Sequence, residues 1–192
     1  MILDLKLYII ADHNTLSNIF KIIGDGSNYN AKIEFVNEEN PEGTASALKL
    51  LKGIVKTTFL AVQCDLIIDH VNLLDLWQHH LQGKNVSTLL VSSSVFPQGS
   101  GKIYGAIKMH GNKVLSYVER QLPNNIETSI YFGGVFVAEP ELLAYNGKSL
   151  EFEVFPQLAK RGYLGGILTC EDHLHIHTHQ DLINVRKRLK EI

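Results

Sequence analysis

"TTFLAVQCDLIID", residues 57–69, joins a run too apolar for a surface element to an aspartate at position 65. Phe59 to Val62 are apolar without alternation, the pattern of a strand covered on both faces. A carboxylate just past such a strand is either a helix cap or a metal ligand. Asp69 suits the cap better, because an amphipathic helix, "VNLLDLWQHHLQG", follows from Val71.

Outward from that stretch the same texture repeats. "LKLYIIA" (5–11) and "AKIEFV" (31–36) are short apolar runs suited to buried strands. Between them "DHNTLSNIFKII" offers capping residues and then Leu16, Ile19, Phe20 and Ile23 at helical spacing, stopped by "GDG". "TASALKLLKG" reads as a further helix after the turn-rich "NEENPEG". Strand and helix thus alternate, which predicts βα units with the three runs parallel in one sheet. Beyond residue 84 the texture changes to "NVSTLLVSSS", "KIYGAIKM", "KVLSYVER" and "SIYFGGVFVA", all strand-like, with "HGNK" (110–113) as a hairpin turn. "PELLAY" and "VFPQLAKRG" are short helices, and "GGILTC" with "HLHIHTHQDL" forms a last strand pair before the helix "QDLINVRKRLKEI". The expected fold is a single α/β domain over 1–192. It is a Rossmann-like three-layer α/β/α sandwich whose central sheet is mixed, parallel first and antiparallel later.

Composition narrows the function classes. The 192 residues are 45% hydrophobic and 20% charged, enough to bury a core. A net charge of −2 with no block of like sign argues against nucleic-acid or anionic-membrane partners. No apolar run reaches the ~18 residues that cross a bilayer. "MILDLKLYIIA" lacks the basic start of a signal peptide, and Cys64 and Cys170 make no disulfide framework, so a cytoplasmic protein is expected.

Two further loops carry chemistry. In "NEENPEGTASA", Pro41 and Gly43 allow a tight turn and Thr44 opens a helix whose first N–H groups suit an anion or a base carbonyl. The same residues also fit an ordinary capped βα turn. "HLHIHTHQDL" (173–182) sets His173, His175, His177 and His179 at every second position. In a strand all four imidazoles would share one face, as metal ligands or as a solvated edge.

The order "PEGTASAL", "FLAVQCD", "YGAI", "VLSYVER", "FGGVFVAEPELL", "FPQLAKRG" and "HIHTHQDL" resembles the sugar-phosphate nucleotidyltransferases, from about residue 5 to residue 189. That family's pattern is P-L-G-T-A-G-A-L, F-L-x-x-N-G-D, Y-G-x-x, V-x-x-F-x-E-K-P, N-x-G-I-Y and D-I-G-T-P-E-D-Y. The resemblance implies a reaction of a nucleoside triphosphate with a sugar 1-phosphate, giving a nucleotide sugar and pyrophosphate. It places Gly43 and Thr44 against the nucleotide base and Glu38 at its edge, where a carboxylate, accepting only, suits guanine or cytosine. It gives Asp65 to Mg²⁺ and catalysis, and Gly105, Glu119 and Gly134 to the sugar.

Departures from the pattern qualify each role. The family's opening strand and its G-G-x-G-T-R-L clamp have no counterpart, so the first βα unit is expected to be missing. Activity in this chain alone is then expected to be weak or absent, and the chain to self-associate or to be completed by the missing segment. His175 stands where the second metal-binding aspartate is expected, so Mg²⁺ should bind weakly and Mn²⁺ or Zn²⁺ better. Arg120 and Gln121 replace the lysine and proline of E-K-P, and Phe132 replaces the asparagine of N-x-G. Arg120 keeps the charge at the sugar end without being a point-charge equivalent. The competing expectation is a non-catalytic nucleotide- or sugar-binding regulatory domain.

Overall fold

The computed structural model describes residues 5–68, 72–93, 104–121, 130–169 and 174–188. The expected cap at Asp69, together with His173, lies outside them. Ten strands and five α-helices are described, beginning with β1 (Leu5–Ala11), α1 (His13–Ile23), β2 (Ala31–Asn37) and α2 (Thr44–Lys49). There follow β3 (Phe59–Val62), β4 (Leu66–Ile67), α3 (Leu73–Gln82), β5 (Ser87–Ser93), β6 (Tyr104–His110) and β7 (Lys113–Gln121). The last are β8 (Ile130–Ala138), α4 (Phe155–Arg161), β9 (Leu164–Thr169), β10 (Leu174–His175) and α5 (His179–Arg188).

Local chemistry sets the helix ends. Asp12 caps α1 by accepting from the N–H groups of Asn14 and Thr15, at 2.9 and 3.1 Å. Asn72 caps α3 by accepting from Asp75 N–H at 3.2 Å. Both use a short side-chain oxygen to satisfy donors that the first turn leaves without a helical acceptor.

The main sheet has six strands in the order β3-β8-β5-β9-β7-β6. Only β5 and β9 pair in parallel; the β3–β8, β8–β5, β9–β7 and β7–β6 ladders are antiparallel. Side chains alternate across it, as the pleat requires. Leu89, Val91, Phe132 and Phe136 join Phe155 and Leu158 of α4 in one core. Leu90, Val135 and Val137 meet Leu76 of α3 in a second. Helices on both faces of a mixed sheet make the three layers that the sequence predicts. The "HGNK" turn is present, with His110 opposite Lys113 and Gly111 at φ 55°.

The first three strands depart from a single parallel set. All three runs are strands, and β1 and β2 pair in parallel from Leu5↔Ala31 to Ala11↔Asn37. They form a separate two-stranded sheet, however, while β3 lies at the edge of the six-stranded one and pairs antiparallel with β8. Among the described residues no ladder joins β1 to β3. The apolar pattern identifies a strand but not its neighbour, since partner choice is a long-range matter. No helix among the described residues is long and apolar enough to cross a membrane.

Candidate functional site

The site grows from the carboxyl end of β3. Gln63 follows the strand and donates its N–H to Gly134 O of β8 at 2.9 Å. Gly134 has φ 77°, a region open to glycine and strained for other residues. A Cβ there would collide with Leu66 Cδ1 and lie 2.7 Å from Gln63 Oε1. Glycine is therefore required by close approach as well as by φ, and it lets the Gln63–Leu66 turn fold onto β8.

That turn carries Asp65. Leu66–Ile67 form β4, antiparallel to β10, with His175 opposite Leu66. Ile176 N–H donates to Asp65 O at 2.8 Å, and His177 Nδ1 lies 3.2 Å from Asp65 Oδ2. The structure thus brings Asp65 and the histidine stretch together, across wide sequence separation. The imidazole with a described contact to Asp65 is that of His177. His175 contributes its backbone pairing, and its side chain lies outside the described ones.

The histidine stretch does not continue as one strand through His179. Asp181 Oδ2 accepts from the N–H groups of His177 and Thr178, at 3.2 and 2.8 Å. Thr178 Oγ1 in turn accepts from Asp181 N–H at 3.1 Å. This reciprocal pair is a capping box. It starts α5 at His179, so His179 is helical and the strand ends at His175. Among the described residues no third His, Cys, Asp or Glu completes a metal-holding group with Asp65 and His177.

A second strut comes from α2. Gly43, at φ 140°, approaches the 147–149 loop so closely that a Cβ would lie 2.6 Å from Lys148 O. Lys148 O accepts the N–H groups of Ala45 and Ser46 at 2.9 and 3.1 Å. These are the donors that the sequence offered to an anion or a base, and the chain itself uses them. Thr44 Oγ1 accepts from Leu150 N–H at 2.9 Å and donates to Glu151 Oε2 at 2.6 Å. Ser149 Oγ donates to the same oxygen at 3.1 Å, and Gln63 Nε2 stands 3.5 Å from Glu151 Oε1. Glu151 is thereby fixed between the α2 loop and the end of β3, a residue that the sequence reading missed.

Glu119 completes the cluster from β7, with Tyr117 OH donating to its Oε2 at 3.0 Å. Burial, with the Glu119 and Glu151 carboxylates adding, pushes the Tyr117 phenol far above its ordinary range. Gly105 of β6 sits at a register shift, between the pairs Tyr104↔Gln121 and Ala106↔Val118, where it faces the Glu119–Arg120 backbone. The side chain of Arg120 lies outside the described ones. Phe132 is packed into the core against Phe136 and Phe155. Glu38 follows directly after β2, with its N–H on Ala11 O at 2.9 Å.

Gln63, Gly134 and Glu151 therefore meet at the carboxyl end of β3, Asp65 lies on the turn that follows, and the Tyr117 phenol feels the carboxylates of both Glu119 and Glu151. Glu119 and Glu151 accept from hydroxyls on Oε2, Glu151 Oε1 also stands 3.5 Å from Gln63 Nε2, and an ionised carboxylate acts only as an acceptor. Such a group suits a ligand rich in O–H or N–H donors.

Residues 4–163 match the family model described as nucleotidyl transferase. Over 142 residues the chain is 28% identical to a mannose-1-phosphate guanyltransferase of Aspergillus oryzae, covering 71% of this chain and 38% of that protein. Over 139 residues it is 30% identical to the enzyme of that name from Yarrowia lipolytica, covering 69% of this chain and 37% of that protein. The chain thus spans under two-fifths of these relatives. Among solved structures, a glucose-1-phosphate thymidylyltransferase from Bacillus anthracis in complex with a sucrose superposes with a TM-score of 0.80. The match covers 96% of this chain and 76% of that one at 17% identity, a likeness of fold. HddC from Yersinia pseudotuberculosis gives a TM-score of 0.71 at 16% identity, with 96% of this chain and 77% of that one covered.

Proposed function

The chain belongs to the nucleotidyl transferase family, and we propose that its cleft takes a sugar 1-phosphate and a nucleoside triphosphate. In the inherited reaction a phosphate oxygen of the sugar 1-phosphate attacks the α-phosphorus. A new P–O bond forms, the α–β bridge breaks, and pyrophosphate leaves with the electron pair. Positioning and charge neutralisation supply most of such catalysis.

The observation that supports the reading is Glu151 beside Gln63 and Gly134, with Glu119 joined to it through Tyr117, whose hydroxyl donates to Glu119 and feels both carboxylates. The carboxylates accept from sugar hydroxyls, and the missing Cβ of Gly134 leaves the backbone open to close approach. Gly43 and Thr44 hold the loop carrying Glu151, and in this reading they also lie along the nucleotide. Glu38 at the base edge would favour guanine. Gly105 and Arg120 belong to the sugar end.

Asp65 would hold a divalent ion, with His177 or His175 as its neighbour. One carboxylate beside imidazole suits Mn²⁺ or Zn²⁺ better than Mg²⁺. When bound, such an ion supplies neutralisation of phosphate charge. The chain's own groups orient the sugar and keep Asp65 in place through the Ile176 and His177 contacts.

The test is pyrophosphate release from GTP and mannose 1-phosphate with Mg²⁺, Mn²⁺ or Zn²⁺ in turn. Turnover that Asp65→Asn abolishes supports the enzyme reading. Saturable sugar-phosphate binding with no turnover supports a binding domain instead, which the use of the α2 donors by Lys148 O favours. Neither binding nor turnover would sink both. In the same reading the open edges of β1 and β3 pair with a further strand, from a second copy or from another segment, and the protein works in the cytoplasm.

A further inference from the structure

We propose that Tyr117 is a positioning residue, which aims the Glu119 carboxylate at the hydroxyls of a bound sugar. The proposal rests on the sugar-phosphate reading of the cleft. Tyr117 is 4% exposed and belongs to the main core, with its ring 5.5 Å from that of Phe155. On packing grounds phenylalanine would fill the position equally well. Tyrosine brings a hydroxyl that must find a partner once buried.

The partner is Glu119, two residues along β7 and therefore on the same face of the strand. Burial keeps the phenol protonated, so its O–H proton stays available to donate. A carboxylate held by a fixed donor loses rotational freedom, so the direction of both its oxygens is set. Glu151 is treated alike, with two hydroxyls on its Oε2. Two acceptors fixed in advance lower the ordering cost of binding a rigid polyol, and they favour one arrangement of ring hydroxyls over another.

The variant Tyr117→Phe removes the hydroxyl and keeps the ring. We expect titration of the full chain with mannose 1-phosphate to weaken about tenfold, the scale of losing one hydrogen bond to a charged group. GTP binding should stay within about twofold, since the lost contact lies at the sugar end. Tyr117→Phe placed on Glu119→Gln should add little, because the group it positions has already changed. Carboxyl NMR gives a readout that needs no sugar: the pH midpoint of the Glu119 resonance should rise when the donor to its ionised form is lost. Equal sugar-phosphate binding by native and Tyr117→Phe chains would overturn the proposal, as would an unmoved Glu119 midpoint. A native chain that binds no sugar phosphate, yet shows the midpoint shift, would sink the sugar reading and leave Tyr117 as the residue that sets Glu119.

Discussion

The pair β5–β8 and the pair β1–β2 are built from similar residues, yet their surroundings differ sharply. β8 is buried from Tyr131 to Ala138 and β5 from Ser87 to Ser92. None of the described side chains of β1 and β2 is fully buried. The reason is layering. β5 and β8 lie between α4 on one face and α3 on the other. β1 and β2 pack against α1, α2 touches β1, and among the described residues no ladder ties the pair to the larger sheet. Apolar sequence makes a strand possible, and neighbours on both faces and both edges make it a core. The carboxylate cluster is built on the buried region, where its supports are rigid, while Glu38 belongs to the thinner one.

The sharpest way to break this contrast is to excavate each region. Phe155 is fully buried among Tyr117, Phe132 and Phe136. Phe155→Ala should therefore cost about 3–5 kcal/mol of unfolding free energy in urea titration. Phe35 of β2 is half-buried and meets Phe20 at 5.6 Å, so Phe35→Ala should cost about half as much. Equal costs would mean that the two sheets share one core.

A smaller effect separates two glycines of similar φ. Gly134→Ala faces both the strained φ of 77° and collision with Leu66 and Gln63, so a loss of about 1–3 kcal/mol is expected. Gly162→Ala, at φ 74° and ψ 20° in the left-handed helical region with nothing within 4 Å, should cost only about 1 kcal/mol. If the two prove alike, the close approach at Gly134 is not what selects glycine. Smallest of all is the Lys6–Glu34 ion pair across β1 and β2, at 2.9 Å and well exposed. Lys6→Ala should leave the urea unfolding midpoint nearly unchanged, and added salt should shrink the difference further.

Strands and helices were legible in both regions, through apolar runs, "HGNK" and capping residues, whereas the pairing of β3 away from β1 and β2 was not. Asp65 and the histidine stretch were paired in advance through the order of motifs that resembles the nucleotidyltransferases. Glu151 could not, since it sits in an irregular turn of "SLEFEVF" and is held by Thr44, distant in sequence. No local period marks such a residue. The use of the α2 donors was hidden for the same reason, since sequence shows that a helix begins but not which carbonyl docks on it. The end of the histidine face was readable in principle, as "THQD" contains a capping box that competes with strand alternation.

The proposed sugar site has Glu119 and Glu151 as its acceptors. Its most direct test is calorimetric titration of mannose 1-phosphate into the native chain and into Glu151→Gln, with thermal midpoints recorded alongside. We expect saturable binding by the native chain and at least about tenfold weaker binding by the variant, with the fold intact, because a neutral amide replaces a charged acceptor. Native and variant chains that bind the sugar phosphate equally well would contradict it.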